Sequence, residues 1–131
     1  LSLHDALPIY LGPEGVLKLL RKLNSKRVLI NYDTGNSSYW GFNPVEEIPL
    51  YGDYIANVHI KDCTKPDYSV FLGTGDVDFQ TVFKLLKELD YQGDFILQTS
   101  REEEDYLAAK DFYEFTNGLI EEYLSGSKSR K

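Results

Sequence analysis

Two short strings contain the residues best suited to chemistry, and each stands at the end of an apolar, β-prone run. The run 27–33 ends on Asp33, and the run 54–60 carries His59 next to its end. The carboxyl ends of successive parallel strands converge on one rim of an α/β barrel, where such folds keep their active sites, so we expect the two side chains to lie close together. An aspartate and a histidine are ligands that a divalent metal ion favours. The spacing therefore predicts a metal site at this rim.

The elements that must position these residues alternate between helix and strand. The predicted order is helix 13–24, strand 27–32, loop 35–38, helix 44–51, strand 54–60, loop 61–76, helix 78–89, strand 95–99 and a last helix opened by the acidic run 102–105. Alternation of this kind, with nearly continuous apolar strands, is typical of a parallel sheet buried on both faces. Three strands cannot close a barrel, and a complete (β/α)8 barrel typically takes about 250 residues. The sequence therefore predicts part of a (β/α)8 barrel or, alternatively, an open three-stranded α/β sandwich.

Local signals mark where two of the helices begin. Asn43 is a natural N-cap, and Pro44 suits the first helical position. Asp78 is expected to cap a helix with a clean apolar stripe. The residues of this stripe are Phe79, Val82, Phe83, Leu86 and Leu89.

Composition limits the classes of function. The chain has 131 residues, 42% of them hydrophobic, which suits one core of ordinary size. The net charge of −7 disfavours a nucleic-acid partner and is compatible with a site that collects a divalent cation. No apolar run approaches the roughly 18 residues of a membrane span. The absence of such a run predicts no membrane partner. The single cysteine, Cys63, excludes an intramolecular disulfide and suits a reducing compartment, so we expect a cytoplasmic protein.

The two ends of the sequence differ from its middle. Residues 1–9 resemble one reading frame of a common sequencing-library adapter, so we interpret them as non-native, with a short irregular arm as the alternative. His59 is then the only native histidine, because His4 lies in that segment. Residues 10–124 form the predicted domain, and 125–131 are a polar tail that we expect to be disordered.

Four stretches of this domain together resemble a known family. Residues 31–36, 58–62, 72–79 and 91–98 resemble, in order and spacing, the sugar phosphate isomerase/epimerase family of the xylose-isomerase-like TIM barrels. The resemblance implies that the chain holds the last three strands of the barrel with their helices. It also implies that the full-length protein isomerises or epimerises a sugar or sugar phosphate.

The same resemblance implies a metal site with four ligands. Family members bind one divalent ion, often Mn²⁺, Mg²⁺, Co²⁺ or Zn²⁺, through Glu, Asp, His and Glu at four strand ends. Asp33 corresponds to the Asp and His59 to the His, whereas Gln98 stands where the family has its last Glu. The first Glu should lie just before Tyr10, where the adapter-like segment stands.

The departure at Gln98 bears on catalysis. In this family the two metal-bound glutamates resemble the acid and base that move a proton, while the metal stabilises an enediolate. An amide can offer its oxygen to a metal, but it does not titrate in the useful range. With Gln98 in place and the first Glu absent, we expect the chain alone to be inactive.

Four further residues are candidates for binding substrate, each with an alternative. Asn36 could contact substrate hydroxyls or hold its own loop through an Asx turn. Lys61 could neutralise a substrate phosphate or pair with an acid. Asp62 could orient the histidine, bind a hydroxyl or be a solvated loop acid. Arg101 could bind an anion or hydroxyl, or pair with the acidic residues that follow it.

Two other features could line the site. The Gly73-Thr-Gly75 segment could offer backbone N–H groups to a phosphate, although such segments more often supply a turn into a helix. Tyr39 and Trp40 could form an apolar wall against a sugar face or pack on the neighbouring helix.

Other functions stay open beside isomerisation. A metal-dependent lyase of the inosose dehydratase type is one, and a non-catalytic sugar-binding barrel, which Gln98 favours, is another. An abasic-site endonuclease would need more histidine and acidic ligands and a basic surface, so it is disfavoured. We expect a small-molecule sugar as partner and a capacity of the full-length protein to form homo-oligomers. Two exposed sheet edges predict poor stability and self-association of the chain alone.

Overall fold

The computed structural model describes residues 12–98 and 105–125. The adapter-like segment 1–9, Arg101 and most of the predicted tail lie outside these described residues.

Helices and strands alternate along the chain. The elements are α1 (Gly12–Leu23), β1 (Ile30–Asp33), α2 (Thr34–Trp40), α3 (Pro44–Tyr51), a 3₁₀ turn (Gly52–Tyr54), β2 (Ile55–Ile60), α4 (Phe79–Glu88), β3 (Asp94–Leu97) and α5 (Asp105–Leu119), which continues as a π-helical turn (Ile120–Leu124). The strands form one parallel sheet in the order β1-β2-β3. The α/β class and the parallel sheet are thus confirmed. Within the described ranges no helix is long and apolar enough to cross a membrane.

The helices pack on one face of the sheet. Val58 and Ile60 point from β2 into this core and are fully buried, whereas His59 between them points to the other face. The ring of Phe83 from α4 stacks on that of Phe95 from β3, with the centroids 5.2 Å apart. The sheet therefore has a buried helix-covered face and an opposite face that carries the candidate site.

The predicted helix starts at Asn43 and Asp78 are confirmed. The Asn43 side chain accepts a hydrogen bond from the Val45 N–H at 3.0 Å, and Asp78 accepts one from the Thr81 N–H at 3.0 Å. The α4 stripe packs as predicted. Its buried members are Phe79, Val82, Phe83 and Leu86, and Leu89 is half-buried against them.

The segment after β1 is a helix, which corrects the predicted loop over 35–38. The Asp33 carboxylate accepts a hydrogen bond from the Asn36 N–H at 2.8 Å and so caps α2. The helix ends at Gly41, which has a positive φ of 78°. Glycine, asparagine and serine are weak helix formers, which hides this helix in the sequence. Burial of its inner residues stabilises it instead.

Candidate functional site

Asp33, His59 and Gln98 converge at the carboxyl end of the sheet. Asp33 is the register partner of His59 on the neighbouring strand. Gln98 follows β3 directly, and its N–H donates to the Ile60 carbonyl at 3.0 Å. The Asp33 Oδ2 atom lies 3.9 Å from His59 Nδ1, and Gln98 Oε1 lies 2.5 Å from the same nitrogen. Three side chains from three strands therefore meet around one ring nitrogen.

This cluster fits part of a metal-binding site. Two ligand atoms at about 2.1 Å from one ion lie roughly 3–4 Å apart, which matches the separation of Asp33 Oδ2 and His59 Nδ1. The Gln98 oxygen lies at hydrogen-bonding distance from His59 Nδ1 and accepts from it in the tautomer that carries the proton on this nitrogen. The described part of the chain contains no group of three His, Cys, Asp or Glu residues suited to a metal. Asp33 and His59 could thus supply two ligands, the histidine through a ring nitrogen that carries no proton, and the Gln98 oxygen could supply a third.

Asp33 lies in a partly dehydrated environment with compensating positive partners. Burial raises the pKa of the Asp33 carboxyl group, while the Asn36 N–H and the charges of Lys61 and His59 act in the opposite direction. The N-terminus of α2 adds a favourable dipole. These partners stabilise the carboxylate at this position.

Asn36 and Lys61 lie together beside this cluster. Lys61 is buried, and its Nζ donates to Asn36 Oδ1 at 3.0 Å. Tyr68 OH donates to the same oxygen at 2.6 Å, and Lys61 Nζ lies 3.3 Å from the centroid of the Tyr68 ring. Because two donors occupy the Asn36 oxygen, the group that Asn36 can offer to a substrate is its NH₂.

Lys61 forms no ion pair with any carboxylate of the described residues. Burial lowers the pKa of Lys61, and the nearby charge of Asp33 raises it. Gly35 makes room for the lysine stem, because a Cβ there would come within 2.6 Å of Lys61 Cγ. Thr34 Oγ1 donates to the Lys61 carbonyl at 2.6 Å and thereby ties the start of α2 to the end of β2.

Asp62 has a different environment from the one expected. Its side chain is 0% exposed, so the carboxylate is not a solvated acid and has no surface on which to meet a substrate. Its oxygens accept hydrogen bonds at 2.9–3.2 Å from the backbone N–H groups of Cys63, Gly73, Gly75 and Val77. The glycine amides that could have bound a phosphate therefore hold an internal carboxylate. Asp62 organises the long loop after β2.

An aromatic surface lies next to Asn36. The Tyr39 ring makes edge contacts with Trp40 and Tyr68, with centroid distances of 5.4 and 4.9 Å. Trp40 and Tyr68 are each 44% exposed. Tyr68 is the residue that sequence reasoning missed at this site. It lies in a long loop without periodicity, and an aromatic residue there gives no signal of its position.

A parallel sheet with outer helices on one face, and with polar side chains meeting at the strand carboxyl ends, defines part of a (β/α)8 barrel with its site at the rim. The chain belongs to the xylose isomerase-like TIM barrel family, whose family model matches residues 4–115. The resemblance seen in the sequence is thereby confirmed.

Individual relatives agree with this assignment. The inosose dehydratase of Geobacillus kaustophilus is 28% identical over 136 residues, covering 88% of this chain and 44% of that protein. The structure of a xylose isomerase domain protein from Planctomyces limnophilus superposes with a TM-score of 0.73 at 22% identity, covering 86% of this chain and 45% of that one. An L-ribulose 3-epimerase gives a TM-score of 0.73 at 18% identity, covering 91% and 46%. The two structures show the shared fold, and the chain spans a little under half the length of each relative.

Proposed function

We propose that this chain is part of a divalent-metal-dependent isomerase or epimerase that acts on a sugar or sugar phosphate. The observation that carries the proposal is the meeting of Asp33 Oδ2 and Gln98 Oε1 at His59 Nδ1. Membership of the xylose isomerase-like TIM barrel family and the fold shared with an L-ribulose 3-epimerase support it. We also place the enzyme in the cytoplasm, where its single thiol, Cys63, stays reduced.

Each residue of the site would have a different role in such a reaction. A bound divalent ion would supply Lewis-acid stabilisation of the negative charge that develops when a proton leaves the carbon next to a carbonyl. Asp33 and His59 would hold this ion, with the Gln98 oxygen as a third ligand. The Asn36 NH₂ would donate to a substrate hydroxyl, and the Lys61 ammonium would bind an anionic oxygen or phosphate. The Gln98 amide cannot accept the substrate proton, so a base must come from elsewhere in the full-length protein.

A dehydratase is the second candidate. The 28% identity to an inosose dehydratase over 88% of this chain favours it. Both reactions begin with removal of the proton next to a carbonyl, and they differ in whether a hydroxyl then leaves the adjacent carbon. The same residues could therefore serve either reaction, and the products distinguish the two.

The test is an NMR assay of the full-length protein in D₂O with Mn²⁺. Ketoses, their phosphates and an inosose are the substrates. An epimer with deuterium at the reacting carbon supports the leading proposal, whereas a dehydrated product supports the lyase. Gln98→Glu restores a titratable carboxyl, so we expect its rate to exceed that of the wild type by about a hundredfold, the lower end of the range for general acid–base catalysis. Sugar binding without exchange in both proteins would contradict an enzymatic role and indicate a binding protein.

A further inference from the structure

A buried carboxylate lies behind the candidate site, on the helix-covered side of the sheet. Glu47 of α3 is only 3% exposed. Three hydroxyl groups donate to it. The Ser37 hydroxyl makes a close hydrogen bond to Oε2, Tyr32 OH reaches the same oxygen at 3.3 Å, and Tyr51 OH reaches Oε1 at 3.3 Å.

Burial of this carboxylate costs desolvation free energy that an apolar side chain would not cost. No ion pair joins Glu47 to a lysine, arginine or histidine in the part of the chain that the structure describes. Burial raises the pKa of Glu47, and its hydroxyl partners act in the opposite direction. An apolar side chain could occupy this volume without dehydrating a carboxyl group. The feature that an apolar side chain cannot supply here is acceptor oxygens for three hydroxyl groups.

The elements joined by Glu47 include β1 and α2, which carry Asp33 and Asn36. Tyr32 is the β1 residue directly before Asp33, and Ser37 lies on α2 directly after Asn36. The Glu47 carboxyl group therefore accepts hydrogen bonds from residues on both sides of the segment from Asp33 to Asn36. Since Asp33 both caps α2 and faces His59, a rotation of α2 would move a proposed metal ligand and a proposed substrate-binding amide together.

We propose that Glu47 is a positioning residue that fixes α2, and through α2 the side chains of Asp33 and Asn36. An effect of Glu47 on metal affinity rests on the proposed function. The stabilisation of α2 by Glu47 does not depend on any ligand. A carboxyl group that only contributed to overall stability would affect every helix alike. A positioning residue affects α2 selectively.

Residue-resolved hydrogen exchange of the full-length protein separates these roles. The probe is the Asn36 amide, which donates to Asp33 Oδ1, and the reference is the α4 helix. We expect Glu47→Leu to speed exchange at Asn36 about tenfold relative to α4, the factor for loss of a buried hydrogen bond. Glu47→Gln keeps one acceptor oxygen and places an NH₂ group where a hydroxyl oxygen can accept, so it should stay within about threefold of wild type. Glu46→Leu, at an exposed neighbouring position, is the matched control and should leave the exchange ratio unchanged.

Mn²⁺ affinity is the second measurement, and we expect Glu47→Leu to weaken it by about the same factor. An exchange ratio unchanged in Glu47→Leu, or exchange accelerated equally in α2 and α4, would overturn the positioning role. If Glu47→Leu does not fold, Ser37→Ala decides, with faster exchange expected at Asn36 and no change overturning the proposal. Unaltered Mn²⁺ affinity in a variant with loosened α2 also overturns it. Absence of Mn²⁺ binding by the wild type, with selective loosening of α2, would contradict the proposed function and leave the hold on α2 intact.

Discussion

At the scale of single residues, Asp62 shows how one buried carboxylate can organise a loop that has almost no regular structure. Its four backbone donors come from positions spread over fifteen residues of chain. Gly75 must be glycine here, because a Cβ would collide with the Asp62 carboxylate and the Cys63 carbonyl. The carboxylate thus fixes the path of the loop that carries Tyr68 to Asn36.

Replacing Asp62 should destabilise the protein strongly. Asp62→Ala leaves several buried N–H groups without an acceptor, and we expect the free energy of unfolding to fall by on the order of 3 kcal/mol. Urea unfolding measures this loss. Asp67→Ala, an exposed acid in the same loop, is the control and should stay within about 0.5 kcal/mol of wild type. Equal unfolding midpoints for the two variants would refute the role given to Asp62.

Gly35, like Gly75, should not tolerate a larger side chain. A methyl group there would overlap Cβ, Cγ and Cδ of Lys61, and these atoms cannot all move aside without displacing the ammonium from Asn36. We expect Gly35→Ala to lower the free energy of unfolding by about 1–3 kcal/mol, as overpacking does. Gly118→Ala in α5, where a Cβ meets nothing within 4 Å, should be neutral or stabilising. A neutral Gly35→Ala in thermal unfolding would show that Lys61 is not held where the structure places it.

The candidate site was predictable only in part, for a physical reason. The placement of Asp33 and His59 at adjacent strand ends follows from a local pattern of apolar runs, and the structure brings the two together. Tyr68 and the burial of Asp62 depend on the path of a long loop. That path is set by hydrogen bonds to backbone groups, which carry no signature in the sequence.

At the scale of elements, α2 is a helix whose formation depends on tertiary contacts rather than on its own sequence. Its sequence is poor in helix formers, and its start and end depend on the Asp33 cap and on Gly41. By contrast, α3 and α4 begin at residues whose capping ability is local, so their starts could be predicted. The hydroxyl contacts of Glu47 then join β1, α2 and α3 into one unit.

This unit should give the stability of the protein a defined pH dependence. The pKa of Glu47 is raised by burial, so the folded state binds the proton more tightly than the unfolded state. The resulting stabilisation is complete below the ordinary glutamate pKa of about 4.3 and is lost as the pH rises through the raised pKa of the folded protein. The free energy of unfolding of the wild type, minus that of Glu47→Gln, should therefore fall as the pH rises above the ordinary glutamate pKa of about 4.3.

Urea titrations across this pH range measure the difference. Glu46→Gln, on the exposed side of the same helix, accounts for the general effect of removing one surface charge. The same pH course for both differences would contradict the burial of a titrating carboxyl group at position 47.

At the scale of the whole molecule, the sheet offers apolar surface that the described residues do not cover. In the described ranges β2 is the central strand, so β1 and β3 each have an unpaired edge. Successive β3 residues on opposite faces, Ile96 and Leu97, are 41% and 38% exposed. Parallel strands are normally buried on both faces, which makes these positions candidates for association.

The 131-residue chain by itself should therefore self-associate. We expect sedimentation velocity to show oligomers whose proportion rises with protein concentration. Ile96→Lys places a charge on the exposed face and should shift the distribution toward monomer. Lys110→Gln, on the exposed surface of α5, is a control that should not do so. A concentration-independent monomer with a sharp, cooperative thermal transition would contradict this prediction.

The central claim concerns Asp33 and His59 as ligands of one divalent ion, and Mn²⁺ binding followed by electron paramagnetic resonance tests it most directly. Wild-type full-length protein should bind one Mn²⁺ at this site. Asp33→Ala and His59→Ala should each weaken that binding by at least about tenfold, since removal of even an outer-shell partner of a metal ligand commonly costs this much. Asp67→Ala should have no effect, and circular dichroism should show that all variants are folded. Bound Mn²⁺ that is unchanged in both Asp33→Ala and His59→Ala would contradict the account.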